Sequence, residues 1–385
     1  VDSEIQFIEL APEGETLELA DGSLKGPVTI AYGEYGKLNE KKDNAIVLFH
    51  ALSGGPNAAG ICKENSRAGN RWTEEVQVGW WDDFIGPGKA LDTDRYYIVC
   101  MNYLGGCYGS TGPADINPET GKPFGSRFPR VLAEDQVATQ AMLLDRLGVK
   151  TCHAVIGSSV GALLAVSFAT RYPDRVRLVV PIAGGFKTTV LNRLLLFEQI
   201  LAIENDPQFQ GGDYYETGQP HYGMALARMI SHKTFIHLDA IERRANRMVR
   251  QQEDHFSWFR IRDSVQSYMI YNGRKFVDRF DANTYLRICD MWSSYDPLAS
   301  SGADSVRDLF APCRENHQQF LIFSIGSDFC FYPEEQEELE THLKNAGVAV
   351  MRITVHSEKG HDSFLLEPEL FTPHLDHFLK SVPLE

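Results

Sequence analysis

Residues 154–168 read AVIGSSVGALLAVSF. An apolar, β-prone run meets two glycines and two serines, then gives way to a long helix-prone run. The pentapeptide Gly157-Ser158-Ser159-Val160-Gly161 fits G-x-S-x-G, set between a strand and a helix. In that setting the turn is sharp and strained, and the central Ser159 is held outward at a helix N-terminus. Backbone N–H groups and the helix dipole there favour developing negative charge. The pattern alone is short enough to arise by chance, and the plain alternative is a glycine-rich turn. The strand before it and the amphipathic run after it favour a serine presented for chemistry.

Similar strands flank this one. NAIVLFHAL (44–52) is a continuous apolar run ending at His50, as expected of a strand buried on both faces of a parallel sheet. RYYIVCMNYLG (95–105), RLVVPIAG (177–184), QFLIFSIG (319–326) and VAVMRITVH (348–356) read the same way. Helical patterns separate them. AEDQVATQAMLLDRLG (133–148) ends on a capping glycine, and GALLAVSFATRYP (161–173) is stopped by Pro173. PEEQEELETHLKNAG (333–347) is opened by Pro333 and closed by Gly347. Strands alternating with helices predict an α/β fold with a mostly parallel central sheet. The first 45 residues read as strands and turns.

Residues 186–300 break the alternation. VLNRLLLFEQILAIEND, GMALARMISHKTF and SVQSYMIYNGRKFVDRF are helical patterns with no convincing strand between them. They predict a helical lid inserted into a core made of residues 1–185 and 301–385. The insertion would ride over the C-terminal edge of the sheet, where open α/β sheets bind ligands.

A serine hydroxyl needs a base to take its proton. The partners of such a serine follow in the order acid, then histidine. FLIFSIGSDFCFYP places Asp328 just after the fifth buried strand, and VHSEKGHDSFLLE places His361 in the loop after the sixth. Taken singly, Asp328 reads as a turn aspartate and His361 as a loop histidine; order and placement make them the candidates. His356 competes but reads as strand end. Asp362 is either a helix cap or a substrate contact. The candidate oxyanion donors are the N–H of Val160 and, in FHALSGG (49–55), the N–H of Leu52. His50 and the neighbouring glycines shape that turn.

Composition narrows the classes. The 385 residues are 43% hydrophobic and 23% charged, with a net charge of −15. That is a globular composition. It lacks the basic footprint of a nucleic-acid or anionic-membrane binder, so neither partner is expected. Seven cysteines at irregular spacing, with no CxxC pair, argue for reduced thiols in a cytoplasmic setting rather than a disulfide framework or zinc site. Val1-Asp2-Ser3-Glu4 shows no signal-peptide pattern, and no apolar run approaches the ~20 residues of a membrane helix. HSEKGHD (356–362) lacks metal-ligand spacing, so no metal is expected. YLGGCYGSTG (103–112) lacks the Lys-Ser/Thr pair of a phosphate loop.

NAIVLFHALSG, the long block 79–129, FVDRFDANTY, SDFCFYP and GHDSFLLE resemble the homoserine O-acetyltransferase family, a branch of the α/β-hydrolase fold. The likeness runs from about residue 25 to the C-terminus. It implies double-displacement acyl transfer: Ser159 takes an acetyl group from acetyl-CoA, a co-substrate rather than a bound cofactor, and passes it to the hydroxyl of L-homoserine. His361 would relay the proton and Asp328 orient it. Arg228, in MALARMI, matches the arginine that holds the substrate carboxylate, and Asp362 the aspartate that holds its ammonium. The resemblance also implies a homodimer formed through the lid. Read without it, Arg228 is a surface arginine on a helix.

The chain departs from the family pattern in places. The family's nucleophile turn usually reads Gly-Gly-Ser-Met-Gly-Gly, where this chain has Val160 after the nucleophile and Ala162 in place of the last glycine. Phe235 stands where a tyrosine near the substrate is common, and SGGPNAAG (53–60) replaces a more polar loop. These changes leave the Ser–Asp–His set whole but bear on the acceptor. Three readings therefore stand: an amino-acid O-acyltransferase, a carboxylesterase of small acetate esters on the same scaffold, and a non-catalytic binding protein. The intact Ser–Asp–His order argues against the third. Succinyl-CoA as donor, and serine or a larger alcohol as acceptor, stay open.

Overall fold

The computed structural model describes residues 3–247 and 260–384. Residues 248–259, part of the predicted helical insertion, and residues 1, 2 and 385 lie outside it. Among the described residues ten strands run in chain order: β1 Ile5–Ala11, β2 Thr16–Leu19, β3 Gly22–Lys25, β4 Val28–Tyr35, β5 Ala45–Phe49, β6 Tyr97–Met101, β7 Cys152–Ser158, β8 Val176–Ile182, β9 Gln319–Ile325 and β10 Ala349–Val355. The longer helices are α1 Ala133–Leu147, α2 Val160–Arg171, α3 Val190–Glu204, α4 His221–Phe235, α5 Leu238–Ala245, α6 Ser264–Arg279, α7 Ala282–Ser293, α8 Val306–Glu315, α9 Pro333–Ala346 and α10 Thr372–Ser381.

Eight strands form one sheet in the order β1-β4-β6-β5-β7-β8-β9-β10, while β2 and β3 form a separate hairpin. From β6 to β10 every pairing is parallel; β4 runs antiparallel to both its neighbours. The continuous apolar runs are buried along their whole length in β5, β6 and β7. Alternation decides which layer each side chain joins. Val47, Phe49 and Val155 pack with α1, α2, α8 and α9 on one face. Ile46, Leu48 and Ile156 pack on the other with Trp81, Phe84 and α10.

The helix ends follow from local chemistry. Gly148 and Gly347 both adopt the left-handed conformation just past α1 and α9, with φ of 75° and 77°. Pro333 opens α9, where a missing N–H costs nothing. Helix α2 ends at Arg171, two residues before Pro173. Between β8 and β9 the described residues contain helices α3 to α8 and no strand. Among the described residues, no helix is long and apolar enough to cross a membrane.

Candidate active site

Ser159 is the hinge between β7 and α2. Its N–H continues the sheet ladder by donating to Ile182 O at 2.9 Å, and its own carbonyl accepts from Ala162 N at 2.9 Å. To turn so sharply it adopts φ 58° and ψ −126°, a region sparsely populated by non-glycine residues. The flanking glycines make the turn possible. A Cβ on Gly157 would stand 2.0 Å from Gly161 O, and one on Gly161 would stand 2.2 Å from Phe49 O. Both positions therefore exclude any side chain. Ala162 replaces the glycine usual in the resembling family, and its Cβ is accommodated because residue 184 is glycine.

The C-terminal ends of four strands bring the other groups to the same edge. Asp328 follows β9. Its Oδ1 accepts from Cys330 N at 2.7 Å and Phe331 N at 2.9 Å, and its Oδ2 lies 2.7 Å from His361 Nδ1. His361 follows β10, is almost wholly buried, and is walled by Phe331, Phe364 and Phe235. Among the described residues its Nε2 has no hydrogen-bond partner. Burial disfavours the imidazolium, but the charge and hydrogen bond of Asp328, with Asp362 and Glu335, outweigh it and raise the His361 pKa. The competitor His356 sits directly after β10, outside the cavity lining.

A cavity of about 410 Å³ opens over Ser159, lined among others by Leu52, Arg228, Phe235, His361 and Asp362. Asp328 lies behind His361, away from this lining. The N–H groups of Leu52, after β5, and Val160, the first residue of α2, have no hydrogen-bond partner among the described residues. Donors left free beside a candidate nucleophile suit a developing oxyanion.

Arg228 on α4 reaches the cavity with Nη1 buried and unpaired among the described residues. Its guanidinium lies 4.7 Å from the Phe276 ring and 5.3 Å from the Phe235 ring. Phe235 thus gives Arg228 an aromatic support rather than a hydrogen bond. Burial and the nearby Arg279 lower the Arg228 pKa. Asp362 precedes the short turn Ser363–Leu366, but its side chain makes no capping bond, which removes the helix-cap reading. Its N–H instead donates to Phe235 O at 2.9 Å, and His237 N donates to Lys359 O at 3.0 Å. The histidine loop is therefore pinned to the end of α4. Burial raises the Asp362 pKa, against the pull of His361, Arg228 and Arg244.

Three residues absent from the sequence reading also line the cavity: Tyr108, Glu75 and Arg279. Arg279 Nη1 donates to Ser53 O at 3.1 Å and Tyr108 OH at 3.2 Å, and its Nε lies 3.3 Å from Glu75 Oε1. The signal for Arg279 lay within FVDRFDANTY, a stretch that carried the family resemblance. Glu75 gave no local signal beyond an acid in the first turn of a short helix.

Residues 44–368 match the family profile described as alpha/beta hydrolase fold. A protein named homoserine O-acetyltransferase from Citrifermentans bemidjiense is 38% identical over 97% of both chains. One named homoserine O-succinyltransferase from Alkalilimnicola ehrlichii is 39% identical over 96% of this chain and 94% of that one. The crystal structure of esterase E22 superposes with a TM-score of 0.85 at 25% identity, covering 98% of this chain and 100% of that one. With near-complete coverage by sequence relatives well above 30% identity, the chain belongs to the homoserine O-acetyltransferase family of the α/β-hydrolase fold.

Proposed function

We propose that the protein transfers an acetyl group from acetyl-CoA to the hydroxyl of L-homoserine through an acetyl-serine intermediate. Ser159 Oγ bonds to the thioester carbonyl carbon as its proton passes to His361 Nε2. The N–H groups of Leu52 and Val160 receive the oxyanion. The carbon–sulfur bond breaks, and the CoA thiolate leaves with the proton from His361. The homoserine hydroxyl then gives its proton to His361 and attacks the acetyl carbon. The bond from Ser159 Oγ to the acetyl carbon breaks, Oγ takes the proton back from His361, and O-acetylhomoserine leaves. Asp328 holds the imidazole in register throughout.

The observation that carries this reading is the pair of charges facing the cavity, Arg228 and Asp362. A guanidinium with a buried unpaired Nη1 suits a carboxylate, and a half-buried carboxylate suits an ammonium. An α-amino acid carries both. An esterase acting on simple esters needs neither. The names of the sequence relatives favour transfer and leave the acyl group, acetyl or succinyl, open.

Carboxylesterase activity is the second reading, favoured by the close overlap with esterase E22. Purified protein given acetyl-CoA, with and without L-homoserine, separates the two. Transfer predicts CoA release that depends on homoserine, with O-acetylhomoserine as product. Inert acetyl-CoA, together with 4-nitrophenyl acetate hydrolysed at a rate indifferent to homoserine, would sink the transferase reading.

The segment between β8 and β9 serves as a lid in this proposal, and a homodimer forms through it. Val190, Leu194, Phe197 and Leu201 repeat at helical spacing along α3 and are exposed, as are Tyr222 and Leu226 on α4. A monomer in solution at micromolar concentration would remove this part. All seven cysteines are free and buried, which suits a reducing cytoplasm.

A further inference from the structure

The two candidate oxyanion donors are held in different ways. Val160 opens helix α2, so its N–H is aimed by the helix itself. Leu52 lies in the loop after β5, in a turn over residues 51–54 that Gly54 N closes by donating to Ala51 O at 3.0 Å. The peptide joining Ala51 to Leu52 is planar and trans, so its C=O and N–H point in opposite directions. Whatever holds Ala51 O therefore aims the Leu52 N–H.

A second donor reaches that oxygen. His50 Nδ1 lies 2.8 Å from Ala51 O. A carbonyl only accepts, so Nδ1 carries the proton. Burial pushes the His50 pKa down to about 4, so near neutral pH the ring is uncharged and Nε2 is a bare lone pair. That Nε2 is buried with no partner among the described residues. The ring is boxed in. It stacks on Tyr103 with centroids 3.8 Å apart, and Tyr103 OH donates to His50 O. On the side of Gly54 a Cβ would stand 2.8 Å from His50 Cβ and 3.1 Å from Nδ1, so no side chain fits between them. An imidazole buried with one nitrogen unsatisfied fills space less favourably than an aliphatic side chain would. What it adds is the bond to Ala51 O.

We infer that His50 is a positioning residue: by donating to Ala51 O it fixes the peptide plane that presents the Leu52 N–H to the oxyanion. The inference rests on the acyl-serine reading above and supplies the residue that aims one of its two donors. His50 is not part of the cavity lining, so its effect passes through that one peptide group. The Leu52 N–H matters most when negative charge develops on the acyl oxygen. Loss of its aim should therefore slow acylation and leave ester binding alone.

The test compares two variants of similar shape. The amide nitrogen of asparagine stands close to the place of Nδ1 in histidine, so His50→Asn keeps a donor for Ala51 O. His50→Leu has the same branching and no donor. The substrate is 4-nitrophenyl acetate: Ser159 Oγ bonds the acetyl carbon, its proton passes to His361, the bond to the nitrophenyl oxygen breaks, and nitrophenolate leaves. Stopped-flow release over a range of ester concentrations gives the acylation rate constant and the half-saturation concentration. His50→Leu should lower the rate constant at least about tenfold, short of the about 10²–10³ of losing an oxyanion donor outright, because the Gly54 bond remains. Half-saturation should move less than about twofold, and His50→Asn should recover most of the rate.

An unchanged rate constant in His50→Leu, an equal loss in both variants, or a loss carried by half-saturation would overturn the inference. Wild type gives a check that needs no variant to fold. By nitrogen NMR of histidine-labelled protein, one imidazole should carry its proton on Nδ1 and show a nuclear Overhauser contact to the Gly54 amide, because both protons converge on Ala51 O. A His50 protonated on Nε2 instead would refute it. Absence of an acetyl group on Ser159 in wild type, read by intact-protein mass with Ser159→Ala as control, would sink the acyl-serine reading and the inference with it. The other outcomes strike the inference alone.

Discussion

Asp328 and His361 are joined by a 2.7 Å contact between Oδ2 and Nδ1, and both are sealed from solvent. The other oxygen of Asp328 is fixed by Cys330 N and Phe331 N. The carboxylate therefore cannot turn away, and the proton is held on Nδ1 with the Nε2 lone pair facing the cavity. Asp328→Asn presents an amide in the same place and permits the opposite tautomer. We expect kcat to fall by about 10⁴-fold, as in other serine triads, with a much smaller change in KM. Steady-state kinetics measure this, and a loss below tenfold would refute the orienting role.

The pH profile follows from the same pair. Burial works against a charged His361, but Asp328 first, then Asp362 and Glu335, carry its pKa above the ordinary 6.5. In the proposed mechanism the neutral imidazole is the base, so kcat/KM should rise with pH through a midpoint above that value. Asp362→Asn removes one of the charges that raise it, so its acid limb should move to lower pH. A limb moving upward would show that Asp362 does not act on His361 through charge.

Ser159 carries backbone strain, as the proposed nucleophile turn would require. Glycine tolerates φ 58° and ψ −126° far better than serine. Relief of that strain, less the added freedom of glycine in the unfolded chain, gives about 1 kcal/mol. Ser159→Gly should therefore be inactive yet more stable by about that amount, while Ser159→Ala is inactive without the gain. Urea unfolding of the three proteins decides it; a glycine variant less stable than wild type would show the turn is unstrained.

Much of this was legible in the sequence because the causes are local. The glycines at 157 and 161 stand where backbone meets backbone, so their pattern betrays the turn. The apolar runs of β5 to β9 mark strands covered on both faces, and the order of Ser159, Asp328 and His361 put them at one sheet edge. The Arg279–Glu75 pair was not legible. Arg279 looks like a polar residue on an amphipathic helix, and Glu75 like a helix-start acid. Their meaning arises only when the helical layer folds back onto the loop after β5. Asp362 was ambiguous for a similar reason: a residue before a helical turn reads as a cap until its side chain is seen to make no capping bond.

Arg228 and Asp362 should govern the acceptor more than the acylation step. Arg228→Ala is expected to lower kcat/KM for L-homoserine by about 10²-fold or more, the cost of losing a buried charge-assisted contact. The loss on 4-nitrophenyl acetate, which has no carboxylate to hold, should be at least tenfold smaller. Equal losses on both would mean that Arg228 supports the cavity rather than the substrate.

Glu335 gives a prediction about stability. It stands at the start of α9 with Oε1 accepting from Tyr332 N at 3.0 Å, while the buried Oε2 has no partner among the described residues. Burial, reinforced by Asp328, raises its pKa from 4.5 to about 8. Between these values the unfolded chain has released a proton that the folded chain still holds. Stability conferred by this group is thus complete below 4.5 and is lost as pH rises toward 8. Glutamine keeps the shape of the neutral acid at every pH. Glu335→Gln should match wild type near pH 4.5 and become progressively more stable up to pH 8, by on the order of 3 kcal/mol. Urea midpoints across that range give the answer. A difference independent of pH would mean that Glu335 is ionised in the folded protein as it is in the unfolded chain.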